Sequence, residues 1–350
     1  MPTPTGPERR LLAAGAKKST TWGTAVALGA GSGINTKGIT GYVRVQDYLI
    51  AAEVDSALAR SGQLDVIKPI DATIQTDMLY DPGALGTLIA LLWGTAGNPA
   101  QQGGTAAWLH KFQLADTNWN KIATMAVEFP GIIHEMRSCK PIEWTMKAAG
   151  SGIVGSELKV RGDQIIDDSG VNGATQMDSL TYDDRENRVL FRHSAVKMNA
   201  ASAGDVSGET ALVTNNIEVS IKRQGYDSVH PAGQYGIIEP AEGGYPDFRV
   251  KISFPRFDAV NKVFMATAIA ETLQKMTVTF IGPLIASTYY YTYKFYFPKM
   301  RMMIPEASWD EIVKNGLELI AEEASAAPTG MAHTRPYVEI TNKRTTDYLA

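Results

Sequence analysis

The residues of this 350-residue chain whose types most often do chemistry are five histidines and one cysteine. The histidines show neither HxxxH nor HExxH spacing, so a metal site would need the fold to gather them. They are His110, His134, His193, His230 and His333. The cysteine, Cys139, has no neighbouring base in the sequence and lies in a strand-like segment. We therefore expect a buried or inert thiol rather than a nucleophile.

Two acidic pairs and one glycine-rich stretch also invite a catalytic or phosphate-binding interpretation. Adjacent side chains rarely converge, so Asp167-Asp168 and Asp183-Asp184 are expected to be solvated loop charges rather than a general acid with its base. The stretch GAGSGI at 29–34 lacks a strong preceding strand, a third glycine and a following Gly-Lys-Ser/Thr, which a phosphate loop requires. The sequence thus predicts no enzyme, no metal and no cofactor.

The overall composition is that of a globular chain without a dedicated nucleic-acid surface. A hydrophobic content of 44% is enough for a sizeable core. The net charge of −4 argues against a basic, nucleic-acid-binding stripe, and a single cysteine excludes an intramolecular disulfide framework. No stretch approaches the roughly eighteen apolar residues of a membrane span. We expect synthesis in a reducing cytoplasm and no membrane partner.

The stretch YYYTYKFYFPKM at 289–300 predicts a strand whose two faces differ in chemistry. Alternate positions place five aromatic side chains on one face, including Phe295 and Phe297, and that face is expected in the core. The stretch KIATMAVEFP at 121–130 alternates in the same way before a Phe-Pro pair, with Phe129 on its core face. The opposite, mixed faces are open to water, a lumen or a neighbouring chain; they carry Thr124, Glu128, Thr292, Lys294 and Tyr296.

The elements around these two strands recur in the same order, which predicts an internal duplication. Asp81 and Asp258 are candidate caps of two helices that each follow an alternating strand. Beyond the two Phe-Pro pairs, Trp144 and Trp309 form a further match. The alternative is that antiparallel proteins with one helix per sheet look alike when compared this coarsely.

The fold class expected from these patterns is mainly β, of α+β type. It comprises two tandem antiparallel β-sandwich or split-barrel units, each flanked by one α-helix. Leu88 of the first helix and Phe264 of the second are expected to face the core. The predicted divisions are an N-terminal arm at 1–40, a first unit at 41–165, a connector or insertion at 166–213, and a second unit at 214–350.

In the order and texture of these segments the chain resembles the major tail tube proteins of long-tailed, siphovirus-like bacteriophages. The resemblance lies in KKSTTWGTAV followed by GAGSGI near the start, and in the strand–helix–strand units. It also lies in the closing order of a Phe-Pro strand, IPEASW, NGLELIAEEA and PYVEI. It implies a virion structural protein with a duplicated tube domain, whose sheets join between subunits around a lumen that passes DNA. Because the family commonly builds six units per ring, two units in one chain imply three chains per ring.

The resemblance further implies partners and contact residues. The partners are other copies of the chain in stacked pseudo-hexameric rings, the tape-measure and tail-terminator proteins of the virion tail, and DNA in transit. Two long loops, at 49–69 and 223–246, and the aromatic residue of the arm are expected to contact the next ring. The stacking candidates in these segments are Trp22, Asp55, Arg60, Asp65, Arg223, Tyr226 and Tyr235.

Two alternatives stay open at this point. One is a tail-terminal or distal ring protein of the same fold that forms a ring without polymerising. The other is a non-viral carbohydrate-binding or enzymatic β-protein, which would need a concave site with converging aromatic and acidic side chains.

Overall fold

The computed structural model describes residues 13–42, 46–50, 63–67, 70–150, 152–232, 236–256, 259–303, 307–308 and 314–350. Five residues named above, Asp55, Arg60, Tyr235, Asp258 and Trp309, lie outside the described residues. Asp65 is described by its backbone alone, in a strand of a two-stranded hairpin.

The described part of the chain contains twenty strands and three α-helices. The strands are β1 (Ala13–Ser19), β2 (Thr36–Thr40), β3 (Gln46–Ile50), β4 (Gln63–Ile67), β5 (Ile70–Asp77), β6 (Gly94–Thr95), β7 (Ala100–Gln101), β8 (Trp108–Leu114), β9 (Ile122–Phe129), β10 (Ile132–Ala149), β11 (Gly155–Gly162), β12 (Ile165–Asp167), β13 (Ser194–Ala200), β14 (Asn216–Lys222), β15 (Asp247–Ser253), β16 (Gln274–Ala286), β17 (Tyr289–Met302), β18 (Ala307–Ser308), β19 (Lys314–Glu322) and β20 (Tyr337–Asn342). The helices are α1 (Ala84–Trp93), α2 (Ala174–Asp178) and α3 (Ala259–Ile269).

The fold is mainly β and antiparallel, as the sequence predicts. Strict alternation produces these strands: β5 and β15 bury every second side chain against the core and leave the intervening ones accessible. Apart from the β3–β4 hairpin, the paired strands belong to one large sheet. Among the described residues the ladders branch but never return to their starting strand, so the sheet is open rather than closed into a barrel.

The strand order of one half of the sheet recurs in the other. The first half runs β2-β5-β11-β10-β9-β1. The second half runs β14-β15-β19-β17-β16-β13. In each half a helix follows the second strand of the series, α1 after β5 and α3 after β15. We call these two series the first and second halves; the domain boundaries given above stay predictions.

Both halves contain a β-bulge at the equivalent place. The bulge defines which residue of one half corresponds to which residue of the other. Met136 and Cys139 on β10 face Met125 and Ala123 on β9, so β10 carries one extra residue. On β17 and β16, Phe297 and Met300 face Met276 and Gln274 with the same extra residue. A bulge of this kind bends a strand and is a defined feature of a fold.

This register corrects the match of the two Phe-Pro pairs. Phe129 ends β9 just before a hairpin turn, whereas Phe297 lies in the middle of β17. The structural counterpart of Phe297 is Met136, and that of Phe129 is Phe280. Pro298 is tolerated within a strand because it occupies the bulge, where the ladder needs no N–H donor.

Parts of the predicted arm and of the predicted connector form paired strands in the described structure. Within 1–40, β1 pairs with β9 and β2 pairs with β5. Ala14 and Ala16 of β1 are buried in the core, so this segment is ordered by its own chain. Within 166–213, β13 pairs along its whole length with β16. Small and polar side chains gave β1, β2 and β13 only weak strand patterns in the sequence, because short strands paired by backbone hydrogen bonds need few large residues.

The core lies between α1 and the apolar faces of β9, β10, β16 and β17. Leu88, Phe295 and Phe297 are fully buried there, and Phe295 stacks on Trp144 with 5.9 Å between ring centroids. Phe129 and Phe264 are half-buried and pack against the same cluster. The aromatic face of β17 therefore lies in the core, as the alternation of its residues predicts.

Helix α1 is held at both ends by groups outside the helix. Gly94 ends it in the left-handed conformation, at φ 94°, which a residue without Cβ adopts at little cost. At its start, the backbone N–H of Gly83 donates to Asp183 Oδ2 at 2.7 Å. Asp183 comes from the segment between α2 and β13, so a remote carboxylate fills the capping role that the sequence assigned to Asp81.

We expect Asp183 to make the stability of the protein fall between about pH 4 and pH 6. Burial raises the pKa of Asp183 to about 6, with a smaller contribution from Asp81. Since the unfolded carboxyl has a pKa of about 3.9, the folded state binds the proton more tightly within this window. Raising the pH through the window then removes that preference, and the free energy of unfolding decreases.

Urea unfolding of Asp183→Asn at a series of pH values tests this. The amide oxygen can still accept from Gly83, while the titrating charge is gone, so the fall between pH 4 and 6 should shrink. Asp184→Asn removes one negative charge from the exposed neighbouring position and serves as the control. An unchanged pH slope in Asp183→Asn contradicts the prediction.

Candidate assembly site

The two halves are joined by a continuous antiparallel seam between β10 and β14. The ladder runs from Glu143 opposite Lys222 to Ala149 opposite Asn216. One side of the seam is apolar and buried, with Trp144 facing Ile221, Met146 facing Val219 and Ala148 facing Ile217.

On the other side of the seam the register places unlike charges opposite each other. Glu143 stands opposite Lys222, and Lys147 stands opposite Glu218. Directly opposed unlike charges stabilise an antiparallel pair, and a slip by one residue would put the core side chains on the solvent face. The seam therefore has one strongly specified register.

Arg223, directly after β14, ties the second half to the end of α1. Its Nε donates to the Leu92 carbonyl at 2.6 Å, and Nη2 donates to the Trp93 carbonyl at 2.9 Å. Nη1 donates to Glu242 Oε2 at 2.8 Å. A cation at a helix C-terminus satisfies carbonyls that have no partner within the helix. The stacking role predicted for Arg223 is corrected: its guanidinium is completely buried and occupied within its own chain.

Aromatic packing covers the outer side of α1 from the second half. Trp93 packs on Phe248 of β15 with 5.4 Å between ring centroids. Near the N-terminal end of the helix, Tyr348 lies so close to Gly86 that a Cβ there would stand 2.3 Å from Tyr348 Cε1. Glycine is required at this position by the close approach.

A second buried ion pair lies beside the seam. Lys140 Nζ donates to Glu239 Oε1 at 2.6 Å, and both side chains are almost fully buried. Burial lowers the pKa of Lys140, while the hydrogen bond and charge of Glu239 oppose that shift. The ammonium also lies 5.8 Å from the ring centroid of Trp119 and 5.6 Å from that of Tyr226.

Tyr226 and Trp22, two predicted stacking residues, also contact groups of their own chain. The Tyr226 hydroxyl accepts a hydrogen bond from Asn118 Nδ2 at 2.8 Å, and burial raises the pKa of Tyr226 to about 12. The indole N–H of Trp22 donates to the Ile237 carbonyl at 2.7 Å. The loop at 223–246 thus lies along the junction of the two halves, where its described residues reinforce the seam.

The mixed faces of β9 and β17 are more covered than predicted. Thr124 is completely buried: its hydroxyl donates to the Arg137 carbonyl and accepts from the Val26 N–H. Tyr296 is buried under Tyr337, with stacked rings 4.3 Å apart. These two residues are corrected from lumen lining to the interior, because the segments at 20–28 and 329–337 cover them. Three members of the set stay partly accessible: Glu128, Thr292 and Lys294.

β2 and β18 are among the described strands that keep one flank without a ladder partner. β2 pairs only with β5, and β18 pairs only with β19. Each presents backbone N–H and C=O groups to which another strand can add. They lie at the two ends of the run β2-β5-β11-β10-β14-β15-β19-β18, which crosses the seam.

In the described part of the chain, no three His, Cys, Asp or Glu side chains form a group that could hold a metal. Burial raises the pKa of the Cys139 thiol to about 12, so it stays protonated at neutral pH. His110 is buried, and its Nε2–H donates to the Arg344 carbonyl oxygen at 2.9 Å.

One cleft, of about 870 Å³, lies beside the seam. Trp119 and Tyr245 line it with exposed rings, together with Asp116, Glu323 and Arg335. Arg335 forms ion pairs with both Asp116 and Glu323. The acids of the cleft are therefore already paired, whereas the aromatic rings are available to a ligand.

In comparisons with known proteins, no protein-family model and no curated protein matches this chain. None of the helices that the structure describes is long and apolar enough to cross a membrane. The seam and its Arg223 anchor were missed from the sequence, since neither has a local signature. The alternation of β14 was visible, but a periodic strand does not name its partner.

Proposed function

We propose that this protein is a structural subunit that self-assembles head to tail into rings, and that the rings stack into a phage tail tube through which DNA passes. The observation that carries the proposal is the seam, in which β14 of the second half pairs with β10 of the first half. The same kind of flank is left unpaired on β2 and β18. The resemblance to major tail tube proteins supports the functional part.

The geometry of such a seam favours a ring. It is heterologous, because a different surface of each half takes part, and heterologous contacts propagate until a rotation closes them or a filament forms. Closure removes exposed strand edges, which otherwise promote aggregation. With two similar halves per chain, three chains provide the six units that the family implies.

The proposed environment is the virion tail, where the tape-measure and tail-terminator proteins would meet the tube. Of the predicted lumen set, Glu128, Thr292 and Lys294 keep the accessibility that a lumen lining or a neighbour contact needs. The mixed signs of these side chains suit a channel that lets DNA pass without binding it tightly, because a basic lining would retain the phosphates.

Electron microscopy of the purified, full-length protein with mass measurement of the assemblies tests the proposal. We expect rings of three chains that stack into tubes. Separate rings that never stack would favour a tail-end ring protein instead. Monomers at every concentration would overturn the proposal, and six chains per ring would overturn the role of the two halves in ring closure.

The aromatic cleft supports a second candidate function, binding of a carbohydrate. Trp119 and Tyr245 expose ring faces on which a sugar can pack, and polar groups lie beside them. The ion pairs of Arg335 with Asp116 and Glu323 favour binding over hydrolysis, which would need a free acid. Titration of oligosaccharides followed by tryptophan fluorescence, with Trp119→Ala as the control variant, distinguishes this candidate from the assembly function.

A further inference from the structure

The unpaired flanks of β2 and β18 are counterparts of the two strands that form the seam. β2 pairs Ile39 with Ile74 and Thr40 with Thr73, as β14 pairs Ile217 with Ile252 and Glu218 with Lys251. The two strands therefore hold the same place in their halves.

β18 corresponds in the same way to the C-terminal part of β10. β18 pairs Ala307 with Asn315 and Ser308 with Lys314. β10 pairs Met146 with Ser156 and Lys147 with Gly155. With the shared bulge as the reference, Ser308 is the counterpart of Lys147, which faces Glu218 across the seam.

Side chains are less buried on the unpaired strand β2 than on its paired counterpart β14, as expected if β2 lacks a neighbouring strand. Ile217 of β14 is completely buried in the seam, whereas its counterpart Ile39 on β2 is only half-buried. Both residues are isoleucine, so the difference in burial reflects the absence of a second strand and its cover.

The burial of helices α1 and α3 differs in the same direction and by a larger amount. Every residue of α1 is buried except Thr87: β1 and β10 pack against the helix, and Arg223, Phe248 and Tyr348 add contacts from the C-terminal part of the chain. In α3, among the side chains that are described, only Ala268 is buried. Val263 is 60% exposed and Ile269 is 66% exposed. An apolar helix face of this kind marks a contact surface.

We infer that β18 and the exposed face of α3 in one copy receive β2 of a second copy, in the register that joins β14 to β10 within the chain. Thr40 of the second copy then lies opposite Ser308, as Glu218 lies opposite Lys147. The occupant is another copy of this chain because β2, the unpaired counterpart of β14 among the described strands, belongs to the first half. The inference rests on the proposed self-assembly and assigns its surface and register.

Disulfide trapping tests the register in the full-length protein. Under oxidation, Thr40→Cys combined with Ser308→Cys should give covalent dimers and trimers, and the series should end at trimers if three chains close a ring. Lys147→Cys combined with Glu218→Cys should cross-link at monomer size, which shows that the seam geometry allows the bond. In Lys37→Cys combined with Ser308→Cys the positions lie about 10 Å apart along the strand, beyond the reach of a disulfide, so no product is expected.

A substitution on α3 tests the helix part of the surface. Ile269→Asp should lower the fraction of assembled protein at least tenfold while leaving the circular dichroism of the monomer unchanged, because the position is exposed in the single chain. Val213→Asp, at another exposed apolar position, serves as the control and should leave assembly intact.

The outcomes separate this interface from the proposed function. Rings in the microscope without intermolecular cross-links, or rings unaffected by Ile269→Asp, overturn the interface and leave the ring function standing. A cross-link of Thr40→Cys with Ser308→Cys found only within single chains also overturns the interface. Absence of any assembly overturns both.

Discussion

Replacing Phe295 and Phe297 together with Asp is expected to prevent folding. Both side chains are 1% exposed in the core, and Phe295 stacks on Trp144 and Tyr293. Loss of each ring alone costs about 3–5 kcal/mol, and burying a carboxylate without a partner costs several kcal/mol more. The sum reaches or exceeds the total stability of about 5–15 kcal/mol that is typical of folded domains.

The measurement is the yield of soluble protein, followed by circular dichroism and urea unfolding. Tyr290→Asp is the matched control: it lies on the same strand, but its side chain is 46% exposed, and we expect it to fold normally. If the double variant stays soluble with a cooperative unfolding transition, the assignment of the aromatic face of β17 to the core is refuted.

Replacing Arg223 with Ala is expected to lower the free energy of unfolding by about 3–5 kcal/mol, the usual cost of removing one partner of a buried ion pair. The change leaves Glu242 without its partner and deprives the Leu92 and Trp93 carbonyls of their donors. Urea unfolding of the full chain measures the loss. The seam between the halves should also loosen, so hydrogen exchange of the β14 amides should speed up.

Arg249→Ala provides the comparison for this second prediction. Arg249 also forms two ion pairs, with Asp247 and Glu318, but on the exposed surface of β15. Solvent screens such pairs, so the expected loss is within about 1 kcal/mol. A loss of similar size in both variants would show that Arg223 is not the anchor between α1 and the second half.

These two variants probe different levels of the architecture. Phe295 and Phe297 belong to a core that any arrangement of this strand would need. Arg223 instead belongs to the contact between the halves, which the proposed assembly repeats between chains. A variant that keeps each half folded but weakens the seam would show how much the ring depends on this contact.

The sequence by itself determined the mainly-β class, the strands β5, β9, β15 and β17, and the helices α1 and α3. The physical reason is local: alternation at period two and apolar spacing near 3.6 residues reflect which face of an element is buried. The same pattern placed Phe295 and Phe297 in the core.

Only the tertiary structure decided which strands are neighbours and what covers their second faces. Thr124 and Tyr296 have polar groups that suit an accessible face, yet remote segments bury them and satisfy their hydroxyls. Arg223 looks like a loop charge until α1 brings two unsatisfied carbonyls beside it. The pairing of strands and the burial of their second faces depend on contacts between residues distant in sequence. A local periodicity does not specify those contacts.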